Sequence, residues 1–194
     1  MLASASPARR RVLEDAGLAP EVVVSGVEED DVTGETPTVA RLLAERKAAA
    51  VAERLDGGPA LVIGADTILD VDGETRGKPG SLDQARQWWA SVAGRTAVLH
   101  SGLCVIDAGT GRQVSDVAST NVRYGLPTAE EVEAYLATGE PLAVAGAFTI
   151  DGYAAPFVDH IEGDHGTVLG LSMPLLRQLL GRLGVRVTDL WVPR

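Results

Sequence analysis

At 194 residues and 45% hydrophobic content, the chain can bury a large core, as one domain or as one domain with two lobes. A formal net charge of −10 excludes non-specific binding to duplex nucleic acid or anionic membrane, which needs a positive field, but leaves room for a local basic pocket. Cys104 is the sole cysteine, so no internal disulfide or thiolate zinc cluster can form; with no apolar run of membrane-spanning length and no signal-peptide pattern, a soluble cytoplasmic protein is expected.

Met1-Leu2-Ala3-Ser4 reads as the end of a strand. Ser6 and Pro7 read as the cap and first residue of a helix whose inner face carries Val12, Leu13 and Ala16, with Gly17 as its stop. Strand, Ser-rich turn and helix start form an anion site, because unpaired N–H groups and the helix dipole favour negative charge. Arg9 shares the inner face with Val12 and Leu13, so it either packs there or aims at a phosphate, while Arg10 and Arg11 read as solvated. Residues 21–25 read as a second strand. The acidic run Glu28-Glu29-Asp30-Asp31 is either a solvated loop or places one carboxylate as a magnesium ligand. Thr36-Pro37 opens a long helix with a stripe of Val39, Leu42, Leu43, Val51 and Leu55. Lys47 interrupts that stripe, and either snorkels to its edge or points its ammonium at a phosphate.

Residues 61–69 form an apolar strand broken by Asp66. A carboxylate there is costly unless it is paired, hydrated or metal-bound; the local alternative is a strand-end Asp making turn hydrogen bonds. Gly64 and Ala65 allow something to come close to the backbone beside it. A hairpin turn follows at residues 70–73, then a loop carrying Arg76 and Lys78, then a helix opened by a capping box, Ser81 to Gln84. The phosphate-binding Gly-Lys-Ser/Thr frame and the dinucleotide fingerprint are both absent. Residues 95–107 and 114–124 read as an antiparallel scaffold holding His100. Thr128 to Glu131 is a second capping box, for a helix ending at Gly139. Residues 143–150 look strand-like, Asp151-Gly152-Tyr153 is a turn or the rim of a site, and residues 157–161 are a strand. His165 falls in a loop, residues 175–183 form a helix, and residues 185–192 a closing strand. The sum is an α/β fold: a mixed β-sheet with flanking helices and an inserted antiparallel section.

Taken together, the cations Arg9, Lys47 and Lys78 fall at helix starts or break an apolar face, and the acids Glu29 and Asp66 lie just past strands. Such a set suits a magnesium-bound polyphosphate: cations cradle the chain, metal bridges its oxygens, and a carboxylate holds metal or takes a proton from water.

The same residues lie in stretches that resemble the Maf family. The stretches are residues 2–10 (LASASPARR), 26–29 (GVEE), 44–48 (AERKA), 64–67 (GADT), 77–79 (GKP), 139–141 (GEP), 145–148 (AGAF) and 168–171 (VLGL). They occur in order and with matching spacing from end to end. The resemblance implies an elongated mixed sheet similar to the inosine triphosphate pyrophosphatase fold, with two lobes around a cleft and a homodimer in the cytosol. It implies a nucleoside triphosphate pyrophosphatase that cleaves between the α and β phosphates of nucleotides, non-standard ones included, with divalent metal (Mg²⁺ or Mn²⁺). The alternative it implies is a nucleotide-binding regulator of septum formation acting through a protein partner. It assigns Asp66 as proton acceptor, and Ser4, Arg9, Lys47 and Lys78 as phosphate contacts. Glu29 and Asp66 fall on the metal side, and Ala8, Thr67 and Asp151 set the base. Pyrimidine-type members carry a second arginine where this chain has Ala8 and a glutamine where it has Asp151. The 7-methyl-GTP type carries tryptophan and glutamate there, and a different residue in place of Thr67. This chain follows neither pattern in full. An acid at Asp151 accepts from a guanine or amino-bearing base edge, where an amide both donates and accepts.

Overall fold

The computed structural model describes residues 1–28, 32–55 and 58–192. Leu2 bridges in parallel to both Val22 and Ile63. The strand expected over residues 21–25 reduces to that bridge, because pairing goes no further than Leu2, whose N–H and C=O bond Glu21 and Val23. Val24, accordingly, is exposed. Helix α1 (Pro7–Asp15) starts as expected, with the Ser6 hydroxyl accepting from the Arg9 N–H, and Gly17 at φ +85° lies just past its end. Helix α2 (Thr36–Ala52) begins one residue earlier than the Thr-Pro signal suggests. Thr36 lies inside it and donates its hydroxyl to Asp70 Oδ2, at 2.8 Å, instead of capping.

Strand β1 (Leu61–Val71) turns at Asp72-Gly73, both with positive φ, into β2 (Glu74–Arg76). Before α3 (Leu82–Val92), Ser81 accepts from the Gln84 N–H, but Gln84 Oε1 reaches back to the Gly80 N–H, so the expected box closes one residue early. Strands β3 (Thr96–Asp107) and β4 (Arg112–Tyr124) follow, then α4 (Ala129–Ala137), whose Thr128/Glu131 capping box is complete.

The strand-like stretch at 143–150 is instead two 3₁₀ turns, Glu140–Ala143 and Ala145–Ala147. Gly146 and Ala147 have φ of +66° and +59°, which no strand can continue through, and a Cβ on Gly146 would lie 2.7 Å from Leu69. Strand β5 (Val158–Glu162) precedes α5 (His165–Leu169), so His165 opens a short helix capped by Asp164 and is not in a loop. After α6 (Met173–Arg182), the expected closing strand is a 3₁₀ turn, Val187–Leu190. The Val192 N–H bonds the Gly17 carbonyl, so this segment docks on the end of α1 and not on a sheet edge.

The sheet runs β2-β1-β3-β4-β5, antiparallel throughout, with parallel pairing confined to Leu2. The antiparallel section read from residues 95–124 supplies its middle. Alternation along β1 and β3 sorts the two faces. Ile63, Ala65, Leu103 and Val105 pack with Leu13 of α1 and Leu176, Leu179 and Leu180 of α6, while Val62 and Cys104 pack with Ala44, Ala48 and Val51 of α2. Helix α2 lies so close that a Cβ on Gly64 would stand 2.2 Å from the Ala44 carbonyl oxygen, and one on Gly102 2.1 Å from that of Ala40. What approaches the backbone beside Asp66 is this helix, and it brings Lys47. Along the outer edge of β1, pairing with Leu2 covers Ile63 and pairing with β2 resumes at Leu69. The cleft described next opens at the gap between them.

Candidate active site

A cleft of about 980 Å³ is lined by all but one of the site residues named from sequence: Ser4, Ala8, Arg9, Lys47, Asp66, Thr67, Lys78 and Asp151. The exception, Glu29, lies outside the described residues. Asp66 stands at mid-strand in β1, opposite Gly102, with 6% of its surface exposed. Lys47, 8% exposed, places Nζ 2.6 Å from Asp66 Oδ1. This answers the question that the sequence leaves at each residue: the lysine does not snorkel outward, and the carboxylate is paired. A buried pair of this kind is weak evidence for stability, since desolvation offsets the attraction, and stronger evidence that position matters.

Arg9 lines the cleft and is also tied to its surroundings by hydrogen bonds. Its guanidinium donates to the Gly170 carbonyl (3.0 Å), to Ser4 Oγ (3.0 Å) and to Thr67 Oγ1 (3.1 Å). One planar fork thereby fixes three segments far apart in sequence, which suits arginine and not lysine. Ser4 Oγ also accepts from the Ser6 N–H at 3.2 Å, which leaves its own O–H to donate. Thr67 is tied into the floor through Arg9 and through Ser101, whose hydroxyl donates to Gly170 at 3.1 Å. Sequence reasoning passed over Ser101 and the Gly170 carbonyl. The available signal was a serine inside an otherwise apolar strand and the VLGL stretch at 168–171.

The walls are less buried. Lys78 is exposed on the loop between β2 and α3, which is held by the Gly146 N–H donating to the Gly77 carbonyl. Arg76, read from sequence as the other cation of that loop, is instead the last residue of β2 and does not line the cleft. Arg76 is buried, bonds Ser91 and Glu74, and lies 5.5 Å from the ring centroid of Trp88. Asp151 is exposed at the mouth, 3.9 Å from the Arg11 guanidinium, so Arg11 reaches the rim as well as water. His100 bonds Ser119 and His165 is exposed; neither lines the cleft.

A sequence model described as "Maf-like protein" matches residues 1–183. The chain belongs to the Maf family. It is 55% identical over its whole length to a nucleoside triphosphate pyrophosphatase of Streptomyces coelicolor, covering 94% of that protein. It is 52% identical to one of Streptomyces avermitilis, covering all of this chain and 95% of the relative. It is 50% identical to one of Salinispora tropica, with 98% and 86% covered. Among the described residues, no helix is long and apolar enough to cross a membrane.

A divalent cation can be tested against the donor set. The described residues hold no group of three or more metal-ligating side chains, and Asp66 is the buried carboxylate of the cleft. That does not make a protein cage. It fits a hard cation such as magnesium, held by one or two carboxylates and otherwise by water and substrate phosphates.

Proposed function

We propose that this chain is a nucleoside triphosphate pyrophosphatase, as its relatives are named, and that it cleaves between the α and β phosphates to give monophosphate and pyrophosphate. The observation that carries the reading is the Asp66–Lys47 pair at the base of a cleft that is also lined by Ser4, Arg9 and Lys78. The cleft takes a polyanion, because its described lining presents cations and hydroxyls around a single buried acid. Lys78 meets the phosphate chain from the mouth as a point charge, and the Ser4 hydroxyl donates from the floor. Lys47 orients the Asp66 carboxylate, and its ammonium can turn to a phosphate oxygen as the chain enters. Asp66 then accepts the proton of the attacking water. Magnesium or manganese would be held by Asp66, together with Glu29 as the resemblance implies, and would neutralise charge on the phosphate oxygens. We read residues 1–194 as one domain with two lobes, acting as a homodimer in the cytoplasm on canonical and non-standard nucleotides, with Ala8, Thr67 and Asp151 facing the base.

A panel of canonical and modified triphosphates with Mg²⁺ or Mn²⁺ tests this. Monophosphate and pyrophosphate are expected in equal amounts. Orthophosphate alone would make it a phosphatase, and tight binding without product over hours would favour the regulator of septum formation. Light scattering reads the dimer.

A further inference from the structure

The segment between α4 and β5 has little regular structure, yet it carries Asp151 into the cleft. One side chain holds this segment together. Glu140, in the first 3₁₀ turn, accepts from the Thr149 hydroxyl and from the Tyr153 N–H (3.0 Å to Oε1, 3.4 Å to Oε2). Its own N–H is fixed by Thr138 Oγ1 at 3.1 Å. Residues 149 and 153 are thus tied to one carboxylate, and Asp151 sits at the apex between them. The loop wraps the carboxylate closely: a Cβ on Gly152 would lie 2.6 and 2.7 Å from its two oxygens. Tyr135, a buried phenol of α4, has Thr149 and Glu140 as its polar neighbours, so the carboxylate is also set against the aromatic core. Among the described residues, the ion pair of Asp151 is a long, solvent-exposed contact to Arg11, which cannot fix its place.

We infer that Glu140 is a positioning residue for nucleotide selection: it sets where the Asp151 carboxylate stands at the cleft mouth, and so which base edge is accepted. It does not touch the phosphate chain. The inference rests on the pyrophosphatase reading and on Asp151 facing the base. A carboxylate held at a fixed point takes two N–H donors side by side, as on guanine, and repels the paired carbonyls that flank the single N–H of uracil and thymine.

The experiment compares wild type, Glu140→Ala, Glu140→Gln and Thr149→Val, each alone and with Asp151→Ala, on guanine and uracil triphosphates. Glu140→Ala is expected to change the guanine-to-uracil ratio of kcat/KM by about tenfold, the worth of one hydrogen bond to a charged group. Glu140→Gln, whose Oε1 still accepts from Thr149 and Tyr153, should restore most of the ratio. Thr149→Val should move it the same way by less. With Asp151→Ala present, none should move it further. An equal loss on both bases, or a shift that persists without Asp151, overturns the inference. Amide hydrogen exchange at Tyr153 is read alongside, because it needs no activity: protection should fall in Glu140→Ala and hold in Glu140→Gln, and unchanged protection also overturns it. If wild type turns over no triphosphate, the pyrophosphatase reading fails separately, and exchange together with the calorimetric binding ratio of the two nucleotides decides the role of Glu140.

Discussion

At the floor of the cleft, Asp66 and Lys47 stand on the middle of a strand and the middle of a helix, 6% and 8% exposed and 2.6 Å apart. At its mouth, Asp151 stands on an irregular loop, exposed, with Arg11 at 3.9 Å. The floor is fixed by backbone packing: α2 rests on Gly64 and Gly102, so the lysine is held where the strand puts the acid. The mouth is fixed by side-chain hydrogen bonds to Glu140, which a single substitution can rearrange. Loops held by a few side chains change more readily than the scaffold beneath them, so the chemistry proposed for Asp66 sits on the first kind of support and the base selection proposed for Asp151 on the second.

The largest expected effect falls on the floor. Asp66→Asn should lower kcat by about 10²–10⁴ with a native circular dichroism spectrum, since loss of a general base costs that much, and should lower the melting temperature, because the buried Lys47 ammonium loses its counter-charge; undiminished turnover would remove Asp66 from the chemistry and end the contrast. Lys78→Ala should weaken both KM and kcat, together worth about 1.5–3 kcal/mol for a charge-assisted phosphate contact, and to a similar degree for every base. A base-dependent loss would move Lys78 from the phosphate side to the selecting side. Gly102→Ala should cost about 1–3 kcal/mol in urea unfolding, because the new methyl meets helix backbone that cannot step aside as a side chain would. Unaltered stability would show that α2 is not seated there. Asp151→Gln should change the ratio between bases by about tenfold and leave stability alone, through exchange of a pure acceptor for a mixed donor and acceptor. The smallest effect concerns neither pole. Burial, and secondarily Glu45, pushes the Cys104 thiol up to about 12. The unfolded thiol ionises first, so the stability it contributes is whole below about pH 8.5 and is lost as pH rises towards the folded value. Cys104→Ala should flatten that alkaline decline, followed by thermal melts from pH 8 to 10.

Helix starts were legible where the signal is local. Ser6-Pro7 and Thr128 to Glu131 define their caps with atoms a few residues apart, and both form as read. The floor was legible because a lysine and an aspartate each break an apolar pattern, and burial of one explains burial of the other. Failures share a different cause. Residues 143–150 and 185–192 are apolar enough for strands, but what they become depends on remote partners: Leu69 and Gly77 for the first, Gly17 for the second. Arg76 and Lys78 looked alike in one loop, and only Trp88 and Ser91, brought in by α3, separate the buried cation from the cleft cation. Asp151 was marked by resemblance, whereas Arg11 beside it carried no periodic signal at all.

The Gly170 carbonyl, which accepts from Arg9, Ser101 and Thr67, joins positions 161, 69 and 103 residues apart. During synthesis, the amino-terminal segments that carry Ser4, Arg9 and Asp66 emerge long before their common anchor does. A nascent chain therefore cannot close this floor until the turn at 170 has left the ribosome, so activity should arrive late and all at once, and fragments released earlier should have none.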